Sequence, residues 1–150
     1  MELNEMSDSE CRELLARTSY GRLGCSQDNQ PYVVPLYFAY EDGYVYVLST
    51  LGQKIEWMRA NPKVCLQVDE SKDGSGWASV LLNGSYQELR EPQYTDERER
   101  ARKLLTSHTK RWMTPFAERQ VKTGDQLIAP IYFRIRIESL SGLRGNGTEK

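Results

Sequence analysis

Apolar and polar positions change rhythm along this chain, and each change marks an element. From Asp8 to Thr18, the positions Cys11, Leu14, Leu15 and Thr18 fall on one stripe of a 3.6-residue period, which predicts a helix. Ser7 and Glu10 stand at capping-box spacing at its start. Strand patterns then take over. Tyr20 to Ser26 is a candidate strand, followed by a turn at Asp28-Asn29-Gln30. Tyr32 to Tyr40 is a long run rich in β-branched and aromatic residues. Pro35 removes a ladder donor inside that run, which predicts a sheet edge or a bulge. Glu41-Asp42-Gly43 is a hairpin signal, and Tyr44 to Ser49 follows as a strand, expected to lie antiparallel to the long run before it.

Gly52 to Ala60 reads as a short helix with the stripe Leu51, Ile55 and Met58, stopped by Asn61-Pro62. Val64 to Val68 is a strand, Asp69 to Gly76 a polar loop, and Trp77 to Leu89 a long strand bent at Asn83-Gly84. Tyr94 to Ser107 is charged and helical, anchored by Leu104 and Leu105, and Thr114-Pro115 fits the start of a further short helix. In the last strand Ile131, Phe133, Ile135 and Ile137 face one way, and Tyr132, Arg134 and Arg136 the other. From Ser141 the three glycines predict a loose tail. The pattern predicts a mainly β fold: a six-stranded antiparallel barrel with peripheral helices, forming one domain over residues 1–150. The helix after the third strand is too short for a βαβ crossover.

Composition narrows the function classes. A net charge of −1 with a pI near 5.9 gives no basic footprint for nucleic acid. No apolar run reaches the roughly 20 residues needed to span a bilayer, and the acidic start, Met1 to Glu10, does not have the form of a secretory signal. Cys11, Cys25 and Cys65 are odd in number and far apart, without metal-ligand spacing, so they read as small buried hydrophobes of a reducing compartment, the cytoplasm. One histidine, His108, cannot make a histidine-rich metal site, and no metal is expected.

Three stretches carry candidate chemistry. Ser49-Thr50-Leu51-Gly52-Gln53-Lys54 leaves a strand and enters a helix. Free N–H groups at a helix start, two hydroxyls and the Lys54 ammonium one turn in are what a phosphate needs. The plain alternative is a capped helix with a solvated lysine. Around Pro35, the run Pro31 to Phe38 leaves main-chain groups open to the edge of a flat heterocycle, or is an ordinary edge strand. Ser79 and Asn83, an even number of residues apart, share one face of their strand and either contact a ligand or face solvent.

These segments in this order resemble the FMN-binding split-barrel superfamily related to pyridoxamine-phosphate oxidase. The nearest branch looks like the flavin proteins related to nitroimidazole reductases. The resemblance runs through Tyr20 to Gly24, Pro31 to Phe38, Asp42 to Tyr46, Ser49 to Lys54, Arg59 to Cys65 and Val68-Asp69, with a weaker echo at Phe133 to Gly142. It implies a split barrel with FMN held by Val34, Pro35, Leu36 and Tyr37 along the ring and by Ser49, Thr50 and Gly52 beside it. It places Lys54 on the phosphate, and Ser79 and Asn83 on the approaching strand. It also implies a homodimer with flavin sites between the subunits. The reductases carry a histidine where this chain has Leu48, so a role for that side chain does not transfer, and no catalytic side chain is assigned. The function implied is an FMN-dependent oxidoreductase acting on a small molecule. The competing readings are a non-catalytic flavin carrier or redox sensor, and a barrel that binds haem.

Overall fold

The computed structural model describes residues 2–72, 76–108 and 129–146. The elements follow in the order β1 (Leu3–Glu5), α1 (Asp8–Arg17), β2 (Tyr20–Gln27), β3 (Gln30–Tyr37), β4 (Ala39–Glu41), β5 (Tyr44–Ser49), α2 (Gln53–Ala60), β6 (Lys63–Lys72), β7 (Gly76–Glu88), α3 (Thr95–His108) and β8 (Ile131–Gly145). Every strand pairing is antiparallel, and the sheet order is β3-β2-β6-β7-β8-β5-β4, with β1 added beside β8. This is the expected mainly β, barrel-like fold with peripheral helices. Eight strands replace the expected six, because β1 and β4 are three residues each and too short to show a period.

The predicted run Tyr32 to Tyr40 is divided between two hairpins, which corrects the expectation that it lies wholly beside the strand after it. Asp28 and Asn29 take positive φ (52° and 65°), the conformation of a tight turn matched to strand twist, and fold β3 back onto β2. Asp42 and Gly43 do the same (φ 51° and 84°), but their hairpin captures only Ala39–Glu41 against Tyr44–Tyr46. Phe38 alone separates β3 at one sheet edge from β4 at the other. It is fully buried, and its N–H donates to the Ser19 carbonyl at 2.9 Å. The chain thus closes the barrel through one residue and leaves a split between β3 and β5.

Two other expectations give way to pairing. The polar stretch from Asp69 is strand up to Lys72, paired with Gly76–Ser79, because Asp69 points outward and its polarity costs the ladder nothing. The tail expected to be loose from Ser141 continues β8 to Gly145, held by β7 on one side and β1 on the other. The Thr114-Pro115 helix start lies outside the described residues.

The core follows the predicted alternation. Leu23, Leu66, Leu82, Phe133 and Ile135 point inward with Val45 and Val47, and Leu15 of α1 and Ile55 and Met58 of α2 close over them. Each such side chain contributes about 1.5–3 kcal/mol by leaving water. Leu51, expected on the α2 stripe, is instead 56 % exposed, because it precedes the helix. α1 begins with the expected capping box: Glu10 N–H donates to Ser7 Oγ at 3.1 Å, and Ser7 N–H to Glu10 Oε1 at 2.8 Å. α3 covers the outside of β4 and β5 through Ala101, Leu104 and Leu105, packed on Ala39 and Tyr46. The bend expected at Asn83-Gly84 is a register shift in the β7–β8 ladder.

Candidate functional site

The split gathers the first two candidate stretches. In β3 the Phe38–Ser19 hydrogen bond sets the phase of the ladder with β2. Main-chain groups of Leu36, Val34 and Tyr32 point to β2, and those of Pro31, Val33, Pro35 and Tyr37 point to the free edge. Both prolines therefore stand where the missing N–H has no ladder partner to lose, as the sequence predicts for Pro35. Val34 and Leu36 face the core, while Pro35 and Tyr37 face outward, with Tyr37 against the Tyr20 ring at 5.0 Å between centroids. Of the four expected residues, Pro35 and Tyr37 thus carry main-chain groups on the outer edge, whereas those of Val34 and Leu36 are spent on β2.

Across the split, β5 ends at Ser49 and the chain enters α2 through Gly52. The Ser49 hydroxyl donates to the Thr50 carbonyl at 3.2 Å, so it serves the turn itself. Gly52 is the N-cap of α2 and offers no side chain, so the N–H groups of the first turn have no side-chain cap. Lys54 lies in that turn, half-buried. Among the described residues no carboxylate pairs with it, whereas Arg12, Arg17, Arg59 and Arg100 are each spent on one. Burial holds the Lys54 pKa below lysine's ordinary value, and the Cys25 side chain pulls the other way. Burial likewise pushes the Cys25 thiol up, and Lys54 opposes that. A half-buried cation without a described carboxylate partner, beside a helix start without a side-chain cap, has the charge and the donors that an anion needs.

The third stretch goes elsewhere. Ser79 and Asn83 share a face, as expected, but it is the outer face of β7. There Ser79 Oγ accepts from Gln67 Nε2 at 3.1 Å, and Asn83 Nδ2 donates to Ser139 Oγ at 3.3 Å. Asn83 also lines a groove of about 500 Å³ with Gly24, Val33, Lys63, Cys65 and Glu138. Of these only Asn83 stands out in the sequence as a candidate. Lys63 and Cys65 fall on one face of β6 by simple alternation, and that was the available signal. Cys11 and Cys25 are buried, as expected. Cys65 is half-buried and faces this groove, and all three cysteines are free thiols. Among the described residues no cluster of three metal-ligating side chains occurs, and no helix is long and apolar enough to cross a membrane. His108 is the last residue of α3.

The chain is similar to known proteins over nearly its whole length. The family model described as pyridoxamine 5'-phosphate oxidase matches residues 7–144. An uncharacterised protein of Rhizobium meliloti is 36 % identical over 138 residues, covering 91 % of each chain. Among solved structures, a FAD-binding protein from Mesorhizobium loti is 41 % identical, with a TM-score of 0.80, covering 97 % of this chain and all of the other. A candidate 5-nitroimidazole antibiotic resistance protein from Bacteroides thetaiotaomicron has a TM-score of 0.68 at 16 % identity, covering 100 % of this chain and 93 % of that one. That likeness is one of fold.

Proposed function

From the premise that the chain belongs to the pyridoxamine 5'-phosphate oxidase family, we propose that it binds a flavin in the split between β3 and β5, at the start of α2, and works as a flavin-dependent oxidoreductase on a small molecule. The observation that carries this reading is Lys54: half-buried, without a carboxylate partner among the described residues, and in the first turn of a helix with no side-chain cap. Such a site is suited to the phosphate of FMN, whether as the mononucleotide or as the corresponding half of FAD. The Mesorhizobium protein, at 41 % identity, is FAD-binding, and FAD contains that same moiety.

The residues fit the group part by part. Lys54 and the first-turn N–H groups of α2 hold the phosphate, and Thr50 and Gly52 lie on the approach to it. The outer edge of β3 at Val33 and Pro35 offers a main-chain N–H and carbonyl groups to the edge of the ring. Bound flavin supplies the redox chemistry. The chain binds and orients the ring and keeps water from one side of it.

A homodimer completes this reading. Four large apolar side chains stand exposed on the same outer sheet face: Tyr20 at 43 %, Val33 at 64 %, Leu81 at 39 % and Leu143 at 45 %. A patch of that kind suits a self-complementary interface, which would also cover the open side of the split. Free cysteines and the absence of any described membrane-spanning helix fit a cytoplasmic protein.

The test is an absorbance spectrum of freshly purified protein, repeated after adding flavin and removing the excess. Retained bands in the blue and near-ultraviolet, bleached by a reduced nicotinamide under anaerobic conditions, are the expected result. No retained flavin at concentrations well above micromolar would overturn the proposal.

A further inference from the structure

We infer that Arg22 tunes the bound ring: its guanidinium donates to the flavin carbonyl that β3 leaves without a main-chain donor, and its charge favours the reduced form. The inference rests on the flavin reading of Lys54 and adds a residue to that same site.

The pyrimidine edge of a flavin runs carbonyl, N–H, carbonyl, so it pairs with a donor, an acceptor and a donor in that order. Along the outer edge of β3 the main chain offers the Val33 N–H and then the Val33 carbonyl. The third group is the N–H at position 35, and Pro35 has none. One ring carbonyl therefore finds no donor on this strand, and a carbonyl left unpaired away from water is costly.

Arg22 is the cross-strand partner of Pro35. The main-chain bonds of this ladder run through Leu36 and Val34, so Arg22 and Pro35 form a non-hydrogen-bonded pair, with Cα atoms about 4.5 Å apart and side chains close together. Both residues are exposed on the outer face. The long stem of arginine spans such a gap. The guanidinium is loosely engaged where it stands: Nη1 lies 3.5 Å from Gln67 Oε1 and 3.9 Å from Asp69 Oδ2, and the group sits 5.8 Å from the centre of the Tyr20 ring. Arg17 and Arg59, by contrast, each hold both oxygens of a carboxylate at 3.1 Å or less. Turning over Pro35 thus costs Arg22 two long contacts.

The charge gives this contact a consequence. Reduction by a hydride donor adds two electrons and one proton to the ring and leaves the donor oxidised by the same two electrons. The ring, neutral before, then carries one negative charge, spread over its pyrimidine side. A guanidinium on that edge holds the reduced ring more tightly than the oxidised one.

The experiment uses the intact protein, Arg22→Gln, Arg22→Lys, Pro35→Ala and the double variant of Arg22→Gln with Pro35→Ala. It measures the dissociation constant of oxidised FMN by fluorescence and the midpoint potential of the bound flavin by anaerobic titration against reference dyes. Arg22→Gln should reduce the preference for reduced over oxidised FMN by about tenfold, read as a midpoint lower by about 30 mV. Arg22→Lys keeps the charge and should stay within threefold of the intact protein. Binding of oxidised FMN reports that each variant is folded. Pro35→Ala puts an N–H on the open carbonyl and releases the guanidinium, so in that background Arg22→Gln should change the preference by less than threefold. An unchanged midpoint in Arg22→Gln, or the same shift with and without Pro35, would overturn the Arg22 contact and leave the Lys54 reading standing. Failure of FMN to bind the intact protein would overturn both.

Discussion

Arg59 places Nε and Nη2 on the two carboxylate oxygens of Glu88, each at 2.8 Å, and so ties the last turn of α2 to the end of β7. Glu88 also accepts from the Tyr86 hydroxyl at 2.8 Å and from Arg90 Nε at 3.1 Å. These donors, with Arg59 first, hold the Glu88 pKa down to about 2, against an ordinary 4.5. Burial and the Glu88 carboxylate push the Tyr86 hydroxyl up.

The sign of the pH dependence follows. A carboxyl with a depressed folded pKa stabilises the fold fully above its unfolded value and loses that contribution as pH falls through the folded one. The window here is from about pH 4.5 down to about pH 2. Glu88→Gln is expected to cost roughly 2–3 kcal/mol at neutral pH and to flatten the fall in stability across that window. Urea unfolding at a series of pH values checks it, and parallel curves for both proteins would count against the assignment.

Gly84 sits at the register shift between β7 and β8, where a Cβ would fall 2.3 Å from the Arg136 carbonyl oxygen and 2.7 Å from Ile135 Cγ2. The first of these neighbours is main chain inside a ladder and cannot swing away. Gly84→Ala is therefore expected to destabilise the protein by about 1–3 kcal/mol, read as a lower urea midpoint at unchanged slope. An unchanged midpoint would mean that the strands separate there at no cost.

How much of this was legible beforehand depends on how local each signal is. The Ser7–Glu10 capping box, the Asp28-Asn29 and Asp42-Gly43 turns, and the alternation Phe133, Ile135 are written within a few residues, and the structure realises each of them. The division of the run around Phe38 was hidden, because two hairpins compete for one strand and only the register shows where each ends. Lys54 was legible as a cation near a helix start. Its lack of a carboxylate partner was not, since an ion pair can come from anywhere in the chain. The groove was least legible of all. Gly24, Val33, Lys63, Asn83 and Glu138 come from five different strands that meet only through the sheet order.

Lys54 itself gives the sharpest prediction about ligand binding. Removing a charge-assisted contact to a phosphate costs about 1.5–3 kcal/mol, so Lys54→Ala should weaken FMN binding by about 10- to 100-fold. The melting temperature should hold or rise slightly, because an unpaired, half-buried charge is lost. Since burial lowers the Lys54 pKa, the intact protein should begin to lose flavin affinity at a pH below lysine's ordinary 10.5, as the ammonium gives up its proton. The variant's affinity should be flat over the same range. Titrating FMN fluorescence between pH 7 and pH 10 reads both, and identical profiles for the two proteins would remove Lys54 from the phosphate.

The proposed dimer turns on the outer sheet face. Leu81 points away from the core, with Val80 and Leu82 on either side of it fully buried, so a charge at this position leaves the packed interior untouched. Leu81→Asp is expected to change folding stability by less than about 0.5 kcal/mol. Desolvating an unpaired carboxylate at a self-complementary interface costs far more, and a twofold axis makes each substitution count twice. Sedimentation should therefore show a dimer for the intact protein and a monomer for Leu81→Asp. If the patch also covers the open side of the split, the monomer should bind flavin more weakly with Lys54 intact. A Leu81→Asp protein that remains dimeric with unchanged flavin affinity would place the interface on another face. A monomeric intact protein that binds flavin fully would show the site to be complete within one chain.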